Sequence, residues 1–257
     1  MEPSYATGLV WFRRDLRALD HAALYHALTQ CQQVHCVFVF DTDILAPLPR
    51  ADRRVEFIRE SLVELDAHLR ELSGHAQGGL IVLHAAAVDA VPQLAQALGA
   101  NAVFTNHDDE PQALQRDNAV RTQLARNGVA MHTYKDHTVL ERDEVLTQSG
   151  TPYSVFTPYK NAWLRKIDAF YLKSYPVERY AHRLAPRPPE HTRPVPTLGE
   201  IGFEQSTLGQ LKLPTGSRGA QQLFDDFLQR IERYEETRNF PAVKGPSYLS
   251  VHLRFGT

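Results

Sequence analysis

Two periodicities alternate through the first 135 residues. Gly8-Leu9-Val10-Trp11-Phe12 is a short apolar run. Residues 20–30 follow, with Ala23, Leu24, Ala27 and Leu28 at helical spacing. Val34 to Phe40 is rich in β-branched and aromatic residues and ends at Asp41. Residues 52–72 read as a long helix, with Val55, Ile58, Leu62, Leu65, Leu69 and Leu72 three or four apart, Asp52 as N-cap and Gly74 as stop. Leu80-Ile81-Val82-Leu83 predicts a third strand. A helix over 88–98, ended by Gly99, comes next. Ala102 to Thr105 is the fourth strand, 110–126 a helix and 129–134 the fifth strand. Strands that are apolar throughout, alternating with helices, predict an α/β unit: a doubly wound, five-stranded parallel sheet covered on both faces.

Beyond residue 135 the pattern changes. Between Pro176 and Pro214 the chain carries seven of its 16 prolines. Each removes a backbone donor and biases the preceding residue away from helix, so this stretch reads as an extended connector over the surface. A helix precedes it, opened by Thr157-Pro158 as cap and first helical residue. From Lys160 to Arg193 there are eight Lys or Arg against three Asp or Glu, read as solvated charge rather than a nucleic-acid edge. Residues 219–238 predict one helix with an apolar stripe of Leu223, Phe224, Phe227, Leu228 and Ile231, continued by Tyr234. Asn239-Phe240-Pro241 breaks it. A loop through Gly245-Pro246-Ser247 then leads into the segment 248–255. No internal repeat is present.

Composition adds mostly exclusions. Hydrophobic residues are 43% and charged residues 23% of 257, which excludes a wholly disordered or low-complexity chain. No apolar run approaches the roughly 20 residues that span a bilayer, and the first residues lack a signal-peptide pattern. Two cysteines, Cys31 and Cys36, make neither a disulfide framework nor a metal spacing, so the expected location is the reducing cytoplasm and no metal is expected. A net charge of −2 gives no global basic field. The chain lacks GxGxxG after its first strand, GxxxxGK[ST], GxSxG, HExxH and CxxC. These absences weigh against dehydrogenases, P-loop NTPases, hydrolases and zinc enzymes.

Two clusters remain as candidate chemistry. Arg13-Arg14-Asp15-Leu16-Arg17 and Asp20-His21 follow the first strand at its carboxyl end, where open α/β sheets take ligands. They suit a cofactor or domain-interface cradle, although the residues alone favour a surface ion-pair cluster. Tyr234, Arg238 and Gly245-Pro246-Ser247-Tyr248-Leu249-Ser250 suit an anion site, since hydroxyls and free amides at a helix start hold phosphate oxygens. An ordinary helix start capped by Ser247 or Ser250 is the simpler reading of the same residues.

Several of these strings together resemble the DNA photolyase and cryptochrome family. They are Leu9 to Arg17, Phe40-Asp41-Thr42-Asp43-Ile44-Leu45, the helix from Arg53-Arg54, Asp109-Glu110-Pro111 with Arg116-Asp117, Val155 to Trp163, and Arg233-Tyr234 through Arg238-Asn239-Phe240-Pro241 to Ser250. They are collinear over nearly the whole chain. Phe156-Thr157-Pro158-Tyr159-Lys160-Asn161-Ala162-Trp163 is similar to bacterial enzymes that repair cyclobutane pyrimidine dimers. The resemblance implies an antenna-type α/β domain (1–135), a connector with one or more short helices (136–214) and the start of an all-α FAD-binding domain (215–257). It implies light-driven electron transfer from reduced FAD to a dimer flipped out of DNA, and a carbon–carbon lyase that is a monomer when complete, with no membrane association. The alternatives are a cryptochrome-type receptor without repair, or a standalone chromophore-binding α/β module.

Position by position, the resemblance implies that Tyr234 contacts the FAD phosphate region. Pro246, Ser247, Tyr248, Leu249 and Ser250 match the phosphate loop, and Arg238 matches a DNA-contacting arginine. Pro246 departs from the usual threonine and has neither hydroxyl nor amide hydrogen; Tyr248 stands where arginine is common. For the antenna, Gln112 and Ala113 align with the Asn-Glu pair of folate-binding members and lack its carboxylate, and His21 replaces an asparagine. A methenyltetrahydrofolate, a deazaflavin, a second flavin or no antenna all stay open. No catalytic residue is assigned within these residues. Family members continue for about as much chain again, so the expectation is an N-terminal portion. Its consequence is an exposed apolar patch of several hundred Å² around Phe224, Phe227, Leu249 and Phe255.

Overall fold

The computed structural model describes residues 3–257. Five parallel strands form one sheet in the order β3-β2-β1-β4-β5. They are β1 (Tyr5–Phe12), β2 (Cys31–Asp41), β3 (Leu80–Ala85), β4 (Ala102–Asn106) and β5 (Ala130–Tyr134). Period-2 alternation splits each central strand between two cores. Val10, Phe12, Phe38 and Phe40 face one side, under α1 (Ala22–Gln30) and α3 (Arg53–Ser73), with the short α2 (Thr42–Leu45) between those two in the chain. Leu9, Trp11, Val37 and Val39 face the other, under α4 (Ala87–Ala97) and α5 (Pro111–Arg126). The doubly wound sheet expected from the sequence is therefore present. The signals that bound α3 are those read from the sequence: Asp52 accepts from the Arg54 amide, and Gly74 closes the helix at φ +66°.

The proline-rich stretch does more than lie on the surface. Its backbone pairs with the α/β unit where Ala185 N–H donates to Val34 O at 2.8 Å and Glu204 N–H to Arg50 O at 2.9 Å. Val177, Ala181, Leu184, Val195, Ile201 and Phe203 join the core beneath α1 and α3. Two of its charges are not solvated. Arg183 donates to Leu28 O at 2.8 Å at the end of α1. Arg187, 4% exposed, donates to the carbonyls of Leu80 and Arg193 at 3.2 Å. An arginine presents several donors in one plane and can collect carbonyls that prolines and chain ends leave unpaired.

Three helix boundaries differ from expectation. Helix α6 (Phe156–Lys166) starts one residue before Thr157-Pro158, and Val155 occupies the cap position without a side-chain bond. The helix expected over 219–238 is three pieces: α7 (Gly216–Leu228), a single turn at Ile231–Arg233 and α8 (Tyr234–Thr237). The break coincides with Arg230, whose side chain folds back onto Asp226. In α9 (Ser250–Phe255) the cap is Leu249, with no side-chain cap bond from Ser247 or Ser250.

Candidate functional site

Arg230 organises the C-terminal cluster. One guanidinium nitrogen meets Asp226 Oδ2 at 2.5 Å, and the other donates to Pro246 O at 2.9 Å. Lys244 meets the same Asp226 carboxylate at 2.8 Å. Lys244 first, then Arg230, hold the Asp226 carboxyl below its ordinary value through hydrogen bonds and charge. On the other side of the loop, a Cβ on Gly245 would come within 2.7 Å of Thr237 Oγ1. The 245–247 segment thus lies against the turn that carries Tyr234 and Arg238. Asp226 and Arg230 are an i,i+4 pair, a signal present in the sequence and overlooked there.

Of the expected site residues, Tyr234 and Arg238 pair with each other and Pro246 is tied to Arg230. Tyr234 is part-exposed, packs edge-on against Phe227 at 5.8 Å and lies 5.8 Å beneath the Arg238 guanidinium. Ser247 Oγ accepts from Leu249 N–H at 3.4 Å, so that amide is engaged within the loop. Tyr248 adopts φ +59°, the left-handed region. Ser250 is exposed. The free donors include hydroxyls, one guanidinium and the backbone amides of Ser247 and Tyr248, a set that suits phosphate oxygens.

The centre of the cluster after β1, Arg13, Asp15 and His21, is closely paired, with Asp15 and His21 buried and the Arg13 side chain nearly so, which corrects the surface reading for these three, while Arg14 and Arg17 stay partly exposed. Arg13 grips both oxygens of Asp117 on α5, at 2.5 and 2.7 Å, and also donates to Asn106 O at the end of β4. Asp15 accepts from Arg13 N–H at 2.6 Å and Asn106 Nδ2 at 2.7 Å, and meets His21 Nε2 at 3.0 Å. Burial opposes the charge on Asp15; the His21 ring and the Arg13 amide outweigh it and hold the carboxyl well below its ordinary value. His21 Nδ1 in turn accepts from Leu24 N–H and caps α1. The two guanidinium groups of Arg13 and Arg116 lie 4.8 and 5.2 Å from the Trp11 ring. Burial, then the nearby Arg13 charge, lowers the Arg116 pKa. The switch point between β1 and β4 is thereby filled with the chain's own side chains.

Gln112 and Ala113 lie on the first turns of α5, Gln112 exposed and Ala113 buried. Of the expected apolar patch, Phe224 is exposed and Phe227 and Leu249 are half-buried, whereas Phe255 packs on Phe57 of α3 at the edge of the core. Leu228, Ile231, Phe240 and Leu253 extend it, Leu253 at 77% exposure. A second exposed apolar stretch runs through Phe156, Leu164, Phe170 and Leu172. Among the described residues no group of three His, Cys, Asp or Glu side chains is placed to hold a metal ion, and no helix is long and apolar enough to cross a membrane.

The family model described as DNA photolyase matches residues 8–181. An uncharacterized 31.6 kDa protein encoded in the atpI 5' region of Synechococcus sp. (strain PCC 6716) is 33% identical, over 98% of this chain and 86% of its own. A deoxyribodipyrimidine photo-lyase from Synechococcus sp. (strain ATCC 27144) is 33% identical over 96% of this chain. The chain spans about half of that protein's length, 51%. The crystal structure of an archaeal photolyase from Sulfolobus tokodaii, with two FAD molecules, superposes with a TM-score of 0.73 at 26% identity, covering 97% of this chain and 52% of its own.

Proposed function

The chain belongs to the DNA photolyase family, and from that premise we propose that it takes part in light-dependent repair of cyclobutane pyrimidine dimers in DNA, as a deoxyribodipyrimidine photo-lyase. On this reading residues 1–135 are the antenna-type domain, 136–214 the connector and 215–257 the start of the FAD-binding helical domain. The observation that supports it is the packing of the 245–247 loop, through Arg230 and Thr237, against the turn that carries Tyr234 and Arg238. Reduced FAD, when bound, supplies the electron that splits the dimer. The chain's own part is to hold the flavin's phosphates through the hydroxyls of Tyr234, Ser247 and Ser250. The backbone of Tyr248 and Leu249 lines the loop, and Pro246 contributes only its carbonyl, already taken by Arg230. Arg238 meets a DNA phosphate from the same face. The antenna chromophore is not assigned to one chemical class.

The test is an FAD titration of the full chain, read by flavin fluorescence. Tyr234→Phe with Ser250→Ala is expected to weaken binding about a hundredfold or more, the scale of two hydrogen bonds to a charged group. Arg238→Ala is expected to leave FAD uptake unchanged and to weaken binding to dimer-containing DNA, with a shallower salt dependence. Recovery of pyrimidine absorbance in that DNA under blue light reads repair. A chain that takes up no FAD overturns the assignment of Tyr234 and residues 246–250 to the flavin phosphates.

A further inference from the structure

The loop after β1 touches more than the sheet. Leu16 N–H donates to Phe255 O at 3.0 Å, the carbonyl at the end of α9. Arg14 Nε donates to Arg254 O at 3.3 Å. Arg254 meets Glu110 at 2.6 Å, and Glu110 meets Arg14 at 3.1 Å, so the three side chains bridge α9, the entrance of α5 and the loop. Beneath this polar layer Phe255 and the buried His252 pack on Phe57 of α3, with ring centroids 5.5 and 5.3 Å apart. Gly256 closes α9 at φ +61°, and a Cβ there would sit 2.5 Å from Arg14 O and 2.7 Å from Asp15 Cα. Contact that close between two backbones requires glycine on one side.

Helix α9 begins at Ser250, the last residue of the candidate phosphate loop. From these contacts we infer that the loop 14–16, with Glu110, is a seat that holds α9 and so sets the position of residues 246–250. Arg14, Glu110, Arg254 and Gly256 are positioning residues for cofactor binding and touch no cofactor themselves. The flavin half of the inference rests on the reading given above. The rigidity half does not, because the seat is read without any ligand. It also accounts for the Arg-Arg-Asp-Leu-Arg string. Arg13, Asp15 and Arg17 brace the loop against Asp117, Asn106 and Asp136, while Arg14 and Leu16 present it to α9.

Amide hydrogen exchange on the full chain, followed by FAD titration, tests both halves. Gly256→Ala is expected to raise exchange at Leu16 and across 250–255 by about tenfold or more, since it adds strained φ and a backbone collision. Exchange in β1 and β4 stays as in the wild type, which separates loss of the seat from failure to fold. Glu110→Gln keeps the shape and removes an exposed charge, so about two- to fivefold is expected. FAD affinity falls in the same rank order. Unchanged exchange in Gly256→Ala overturns the inference, and so does raised exchange with unchanged FAD affinity. If the wild type takes up no FAD while exchange rises in the variants, the flavin reading fails and the seat stands.

Discussion

Arg187 shows how much a single side chain can carry in a stretch without regular structure. Prolines deprive the connector of backbone donors, and a buried guanidinium replaces them by bonding the carbonyls of Leu80 and Arg193. It also lies 3.6 Å from Asp66, whose other contacts hold Arg70 and the Leu80 amide. Burial lowers the Arg187 pKa, and Asp66 opposes that shift. Arg187→Met keeps the bulk and removes every donor. It is expected to cost about 2–3 kcal/mol, the scale of buried acceptors left unpaired, read as a lower urea midpoint with the slope unchanged. Arg179, eight residues earlier, is solvated, and only the fold puts Arg187 against β3.

At the scale of elements, the sheet and its helices were legible because each signal is local. The alternation in β1 and β2, the stripe along α3 and its cap and stop are all contained within one element. Gly74 illustrates the point, since a left-handed residue is needed where α3 ends and nothing lies within 4 Å of its missing Cβ. Gly74→Ala therefore costs conformational strain alone. About 1 kcal/mol is expected, measured as a small fall in thermal midpoint with no change in fold. The break between α7 and α8 was illegible for the opposite reason. Its residues keep helical periodicity, and the chain departs from helix where the Arg230 side chain turns to Asp226 and Pro246.

Across the whole molecule, four histidines share one direction of shift. Burial lowers the pKa of His26, His35, His132 and His252 from the ordinary value of 6.5. A His191 charge adds to the effect at His35. Each is held neutral in the folded chain and protonates more readily when unfolded. The unfolded state then binds more protons as pH falls through 6.5, so stability is full above that value and declines toward pH 5. Urea midpoints between pH 8 and pH 5 are expected to fall steadily, and His252→Gln to flatten part of that slope. A midpoint that rises on acidification contradicts it. The exposed apolar faces on α6 and on α7 to α9 belong to this scale as well, because each helix is ordinary by itself.

What the sequence determined alone was the kind of each element within the α/β unit, the parallel doubly wound sheet and the residues that carry the family resemblance. These follow from periodicity, cap chemistry and short strings, all of which act within a few residues. The tertiary structure decided which charges meet. Arg13 and Asp117 are 104 residues apart, and Arg14 and Glu110 are 96 apart. It turned a string read as a surface cluster into a buried brace and a seat for α9. Ion pairs between distant segments leave no periodic trace in a single sequence. They exist only once the hydrophobic layers have brought those segments together.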